Sequence, residues 1–213
     1  MEFTADQVWA AACAAQRING DYVKMDQYDF DVDQQNPVKR ANKSLVKEWL
    51  RTNDFSLVTA ADHEAGKKAR DHFKSYTLLM LAGQLNEFQQ TALRIASKDV
   101  FTGRDMYDFA VVSCLPSVAQ RDQQRTALKK DIFASEQLHG SEGETVLGDI
   151  QVLQCRFNPN YNKFRIQARM GESFVDFWFG KELSVGTNLR IKGKVKRQRG
   201  DKTTQFNYVK IIG

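Results

Sequence analysis

Lys163-Phe164-Arg165-Ile166-Gln167-Ala168-Arg169-Met170 is followed, across Gly171-Glu172, by Ser173-Phe174-Val175-Asp176-Phe177-Trp178-Phe179. Apolar residues at 164, 166, 168 and 170 alternate with Lys163, Arg165, Gln167 and Arg169. That is the period of two that sends successive side chains to opposite faces of a strand. Gly171-Glu172 between two such runs reads as a tight hairpin turn. In the second run Val175, Phe177 and Phe179 are expected to point inward, which sends Phe174, Asp176 and Trp178 outward. The opposite register would bury Asp176, and an unpaired buried carboxylate is costly.

The same period extends on both sides of this pair. Val146, Ile150, Val152 and Leu153 mark an earlier strand, bent at Gly148, and Asn158-Pro159-Asn160 turns it into the quoted hairpin. After a connection over 180–186, Leu189, Ile191, Gly193 and Val195 alternate with Arg190, Lys192, Lys194 and Lys196. Gly200-Asp201 then turns the chain into a last strand over 203–212. Five short strands, with a glycine inside the first and the fourth, suit a small closed barrel, because closure needs bends that glycine permits.

Upstream, the pattern is helical. Thr4 is placed to cap a first helix through the alanine-rich 8–15 segment, and Asn19-Gly20 to end it. Pro37 is expected to open a second helix, carrying Leu45, Val46, Trp49 and Leu50 on one face. Thr59 and Asp62 resemble a capping box at the start of a long helix toward Leu81, stopped by Gly83. Leu85, Phe88, Leu93 and Ile95 mark another helix, and Thr102 with Asp105 repeats the cap pattern before 106–115. Pro116 is expected to terminate that helix. A polar helix over 118–138 comes last. His139-Gly140-Ser141-Glu142-Gly143-Glu144 interrupts the helical period. The expected organisation is α+β: an all-helical domain over 1–139, a linker and start of the first strand over 140–148, and a barrel over 149–213.

At 213 residues, with 42% hydrophobic and 27% charged residues, the chain suits one large or two small packed domains. No apolar run reaches the ~18–20 residues that a membrane helix needs. The start, Met1-Glu2-Phe3-Thr4-Ala5-Asp6, lacks a secretory pattern, and Cys13, Cys114 and Cys155 are odd in number and widely spaced. A reducing, cytoplasmic setting without a membrane partner is therefore expected. Net charge is +5, but its distribution is uneven. Residues 149–213 hold 13 Lys and Arg against five Asp and Glu, whereas the preceding residues hold 18 against 21. A basic C-terminal unit implies a polyanionic partner.

The five-strand meander and the segment Val185-Gly186-Thr187-Asn188-Leu189-Arg190-Ile191-Lys192-Gly193-Lys194-Val195-Lys196 resemble an OB-fold domain, over about a third of the chain. The whole chain also resembles uncharacterised bacteriophage proteins with a helical N-terminal part. Leu115-Pro116-Ser117 and Gly180-Lys181-Glu182-Leu183-Ser184-Val185-Gly186 contribute to that likeness. The OB resemblance implies an oligonucleotide on the face of the second and third strands and their adjoining loops.

On that face Phe174 and Trp178 would stand beside Arg165, Gln167 and Arg169, giving bases rings to stack on and phosphates cations to pair with. The blander reading packs Trp178 beneath the helical domain and leaves the basic row to solvent. Tyr161, in the first barrel loop, either joins the site or closes a barrel end. Lys192, Lys194, Lys196, Arg197, Arg199 and Lys202 run along the last two strands, and those around Gly200-Asp201 form the densest positive patch. Phosphate contact and protection of exposed strands both account for such a patch.

Other constellations are weaker. In the acidic stretch Asp21–Asp33, Asp29-Phe30-Asp31-Val32-Asp33 suggests calcium ligands, but the glycine and glutamate an EF-hand requires are replaced by Gln34 and Arg40. His63 and His72 are nine residues apart, unlike the zinc-protease spacing. Lys67, Lys68 and Arg70 either extend the basic footprint or solubilise a helix. No phosphate-binding glycine loop, nucleophile elbow or deaminase signature is present. The expectation is a non-catalytic protein without cofactor or metal that binds single-stranded DNA or RNA, DNA preferred. Its setting would be phage replication, recombination or repair, with phage or host replication or transcription proteins as further partners. The alternative is a protein-interaction adaptor in such an assembly.

Overall fold

The computed structural model describes residues 1–28, 37–135 and 140–212. Asp29, Asp31, Asp33 and His139 lie outside the described residues. The chain forms two compact units, Met1–Gln124 and Arg125–Gly213. The architecture is α+β, helices first and a closed five-stranded barrel last.

The first unit contains β1 (Glu2–Thr4), α1 (Ala5–Asn19), α2 (Asn42–Thr52), α3 (Ala60–Lys74), α4 (Thr77–Leu81), α5 (Glu87–Ala96), β2 (Val100–Thr102) and α6 (Met106–Val112). It is not wholly helical, since β1 and β2 pair antiparallel, Phe3 opposite Phe101. α1 is the central helix. Thr4 caps it in a capping box with Gln7, and Gly20 ends it at φ 78°. Ala10, Ala11, Ala12, Ala14 and Ala15 are all fully buried. Their small side chains admit close neighbours, and α3 exploits this at Gly66. A Cβ there would sit 2.9 Å from the backbone of Trp9 and Ala10, so only glycine fits.

Several helix boundaries differ from the sequence reading. α2 starts at Asn42, not near Pro37; Asn42 Oδ1 instead accepts from the Val23 amide at 2.9 Å and from Asn19 Nδ2 at 2.7 Å. The long helix expected from Thr59 breaks at Ser75–Tyr76, and the short α4 buries no residue. Phe88 stays exposed, on the outer side of α5. α6 ends at Val112, and Pro116 lies in the first turn of α7 (Leu115–Ala134) rather than terminating a helix. The missing N–H of proline costs nothing in a first turn. No described helix is long and apolar enough to cross a membrane.

The division between units falls inside α7, whose second half, from Arg125, belongs with the barrel. The barrel strands are β3 (Thr145–Asn158), β4 (Lys163–Met170), β5 (Ser173–Phe179), β6 (Asn188–Gln198) and β7 (Thr203–Ile211), closed in the order β3-β4-β5-β7-β6. The register across the hairpin is the expected one: Ile166 opposes Phe177 and Ala168 opposes Val175. These four have no exposed surface and share the interior with Ile150, Val152, Ile191, Val195 and Phe206. A fully buried Phe such as Phe177 contributes ~3–5 kcal/mol by the cost of its truncation. Gly148 lies against the Met170 side chain, where a Cβ would approach Sδ to 3.0 Å.

Candidate functional site

β5 and β7 pair in parallel only from Phe174–Thr203 to Phe177–Phe206. Beyond that point no pairing holds Trp178 to β7, and a groove of about 860 Å³ opens, lined by Tyr161, Lys163, Trp178, Lys196, Asn207 and Tyr208 among others. Two bulges shape its far wall. Lys192 pairs with Lys210 and Lys194 with Asn207, so Tyr208 and Val209 together oppose Gly193. Tyr208 takes φ 53°, left-handed backbone that a bulky residue rarely adopts, and the residue is 82% exposed. Gly193 is the counterpart, because a Cβ there would meet Phe206 and Val209 at 3.2 Å. The second bulge leaves Lys196 without an opposite residue between Val195–Phe206 and Arg197–Gln205.

On the near wall Tyr161, from the β3–β4 turn, and Trp178, half-buried near the end of β5, hold their ring centroids 5.3 Å apart, tilted by 57°. The Asn158–Asn162 turn that carries Tyr161 is tied by its own hydrogen bonds, Asn160 N to Asn158 Oδ1 and Asn162 N to Pro159 O. Chemically, the groove offers three aromatic faces and the ammonium groups of Lys163 and Lys196. Such a set suits flat rings joined by an anionic chain.

A scan against protein families, a search of curated proteins and a search of solved structures each return no match. The site therefore stands on its geometry.

Of the residues singled out from sequence, Tyr161, Trp178 and Lys196 meet in this groove. The others do not join them there. Phe174 projects from the outer face as expected but is buried, with the Arg169 guanidinium 5.2 Å from its ring centroid. It offers no open stacking face. Asp176 also points outward, yet it has no exposed surface. Arg165 reaches it at 3.0 Å and Arg199 at 3.2 Å. The register spares the core a charge, and the sheet's outer face buries it instead, paired. Arg197 Nε donates to Gln205 Oε1 at 3.0 Å, and Lys202 Nζ donates to the Ser135 carbonyl at 3.3 Å and lies 5.4 Å from the Phe133 ring centroid. Lys192 and Lys194 are exposed along β6. Arg165 and Gln167 border a different cleft, against α7.

The sequence reading missed Lys163 and Tyr208. A signal for Tyr208 exists: Phe206 and Val209 both pack on the core although three residues apart, which strict alternation forbids. An inward pair at that spacing requires a bulge.

In the helical unit Lys67 and Lys68 are exposed on α3, whereas Arg70 and the two histidines have partners within the unit. Arg70 donates to the Ala96 and Lys98 carbonyls at 2.8 and 2.7 Å. His63 Nδ1 contacts Asp6, and His72 Nε2 lies 3.1 Å from the Tyr76 hydroxyl, which donates to Asp122 at 2.8 Å. Of the acidic stretch, Asp26 accepts from the Ala41 amide and Asp21 from the Tyr22 amide, both at 2.6 Å. Burial, and then the Asp62 charge, pushes the Cys13 thiol up to about 12, leaving it a packed and unreactive side chain.

Proposed function

We propose that the protein binds single-stranded nucleic acid, DNA in preference to RNA, without catalysing a reaction, as an accessory factor in bacteriophage replication, recombination or repair. The observation that carries this reading is the Tyr161–Trp178 ring pair facing Tyr208 across a groove flanked by Lys163 and Lys196. Successive bases stack on aromatic faces whatever their sequence, and the lysines pair with the connecting phosphates. A duplex keeps its bases stacked on each other and cannot use these rings. The DNA preference and the phage setting rest on the sequence resemblance.

A second reading, a protein-interaction adaptor, draws support from α4, where Leu78 is 77% and Leu81 81% exposed. Fluorescence anisotropy with labelled single-stranded DNA, duplex DNA and single-stranded RNA, each at several salt concentrations, separates the two. Nucleic-acid binding gives a preference for single strands and a log affinity falling linearly with log salt. No binding to any of the three at low salt returns the protein to the adaptor class.

A further inference from the structure

We propose that the cleft between the second half of α7 and the barrel is a second phosphate site, which holds the backbone of the same strand that occupies the Trp178 groove. This rests on the nucleic-acid reading and extends it to residues on a helix. The cleft, about 360 Å³, has Arg125 and Lys129 on its helical wall and Arg156 and Arg165 on its sheet wall, with Asp201 the single lining carboxylate among the described residues.

The arrangement of these cations is unfavourable for the fold alone. Arg125 and Lys129 are one helical turn apart, where like charges repel. Arg156 and Arg165 stand directly opposite each other on β3 and β4, where like charges also repel. Asp176 offsets Arg165, but Arg199 shares that same carboxylate. Among the described residues Arg125, Lys129 and Arg156 have no carboxylate partner. Asp201 is itself engaged, accepting from the Thr203 amide at 3.1 Å.

The cleft is thus a concentration of positive charge over low-dielectric walls, with Leu128 and Ile132 beneath, and such walls focus the field on an anion. Gln154 opposes Gln167 two pairs further along the hairpin, on the same face, and adds amide donors and acceptors at the same wall. A phosphodiester flanked by sugars meets both requirements, charge from the arginines and hydrogen bonds from the amides.

The test uses the full chain and fluorescein-labelled dT20, followed by anisotropy across salt concentrations. Arg125→Gln with Lys129→Gln should lower the slope of log affinity against log salt by about 1.4, from about 0.7 per single-strand phosphate lost. Lys130→Gln removes the same charge from the neighbouring position, outside the cleft lining, and should leave the slope unchanged. Equal effects of Lys129→Gln and Lys130→Gln, or an unchanged slope in the folded double variant, overturn the proposal. If in that case Trp178→Ala still weakens binding, the groove reading survives and only the cleft is lost. Displacement of dT20 by poly-glutamate at equal charge also overturns it, in favour of an acidic protein segment. Absence of dT20 binding by the unaltered protein at low salt overturns both.

Discussion

Asp176 and Trp178 project from the same face of β5, two residues apart, and meet opposite surroundings. Asp176 is enclosed, with Gln167 and Gln205 at its sides in the sheet and two guanidinium groups on its carboxylate. Trp178 stands where β5 has parted from β7 and borders an open groove. One face of one strand thereby changes from a sealed ionic cluster to an accessible ring within a single pleat.

Replacing Asp176 by Asn should destabilise the barrel unit, because Arg165 and Arg199 lose the one carboxylate they share. Removing one partner of a buried pair costs about 3–5 kcal/mol, and a value of about 2–4 is expected because Arg165 retains 38% exposure. Urea denaturation of the full chain measures it. A loss under ~0.5 kcal/mol, the scatter of surface substitutions, would mean that solvent already screens the cluster.

Trp178→Ala should weaken single-strand binding by about 1–3 kcal/mol, the loss of one stacking platform, and barely change thermal stability. Phe177→Ala, one residue away and without exposed surface, should lose about 3–5 kcal/mol of stability. Anisotropy and thermal melts on the two variants give the comparison. An unfolded Trp178→Ala protein would make that indole a core residue.

Tyr208→Gly separates strain from binding. Glycine accepts φ 53° without penalty, whereas tyrosine there costs about 1–2 kcal/mol. The variant should melt at the same or a higher temperature and bind single strands more weakly. Affinity equal to that of the unaltered protein would take Tyr208 out of the groove's function.

The helical unit should lose stability in acid through Asp62 and Asp108. Burial raises both carboxyls, but hydrogen bonds from Arg17 and Thr59 to Asp62, and from Arg94 and Lys98 to Asp108, outweigh it and hold both below the ordinary 3.8. A carboxyl depressed in the folded state stabilises fully above its unfolded value, and that contribution fades as pH falls through the folded one. Fluorescence of the buried Trp9 and Trp49 during acid titration should therefore report a transition below pH 3.8, and Asp108→Asn should make it shallower. A transition of unchanged shape in Asp108→Asn would assign the acid sensitivity to other groups.

Much of this protein is legible in its residues taken in order. Period two placed Ile166, Ala168, Val175 and Phe177 inside a barrel, and Thr4, Thr59 and Gly20 marked helix ends, because these are local consequences of backbone geometry. The direction of a side chain follows from its own strand. What covers that side chain does not. Whether Phe174 and Asp176 end buried or open depends on Arg169 and Arg199, and the cleft beside Arg165 depends on α7, which precedes the barrel in sequence. The groove depends on where two non-adjacent strands stop pairing and on bulges that shift Lys196 and Tyr208 by one residue. Local sequence set which way each side chain points; only the tertiary structure decided which of them remain open, because burial is fixed by the element that arrives from elsewhere in the chain.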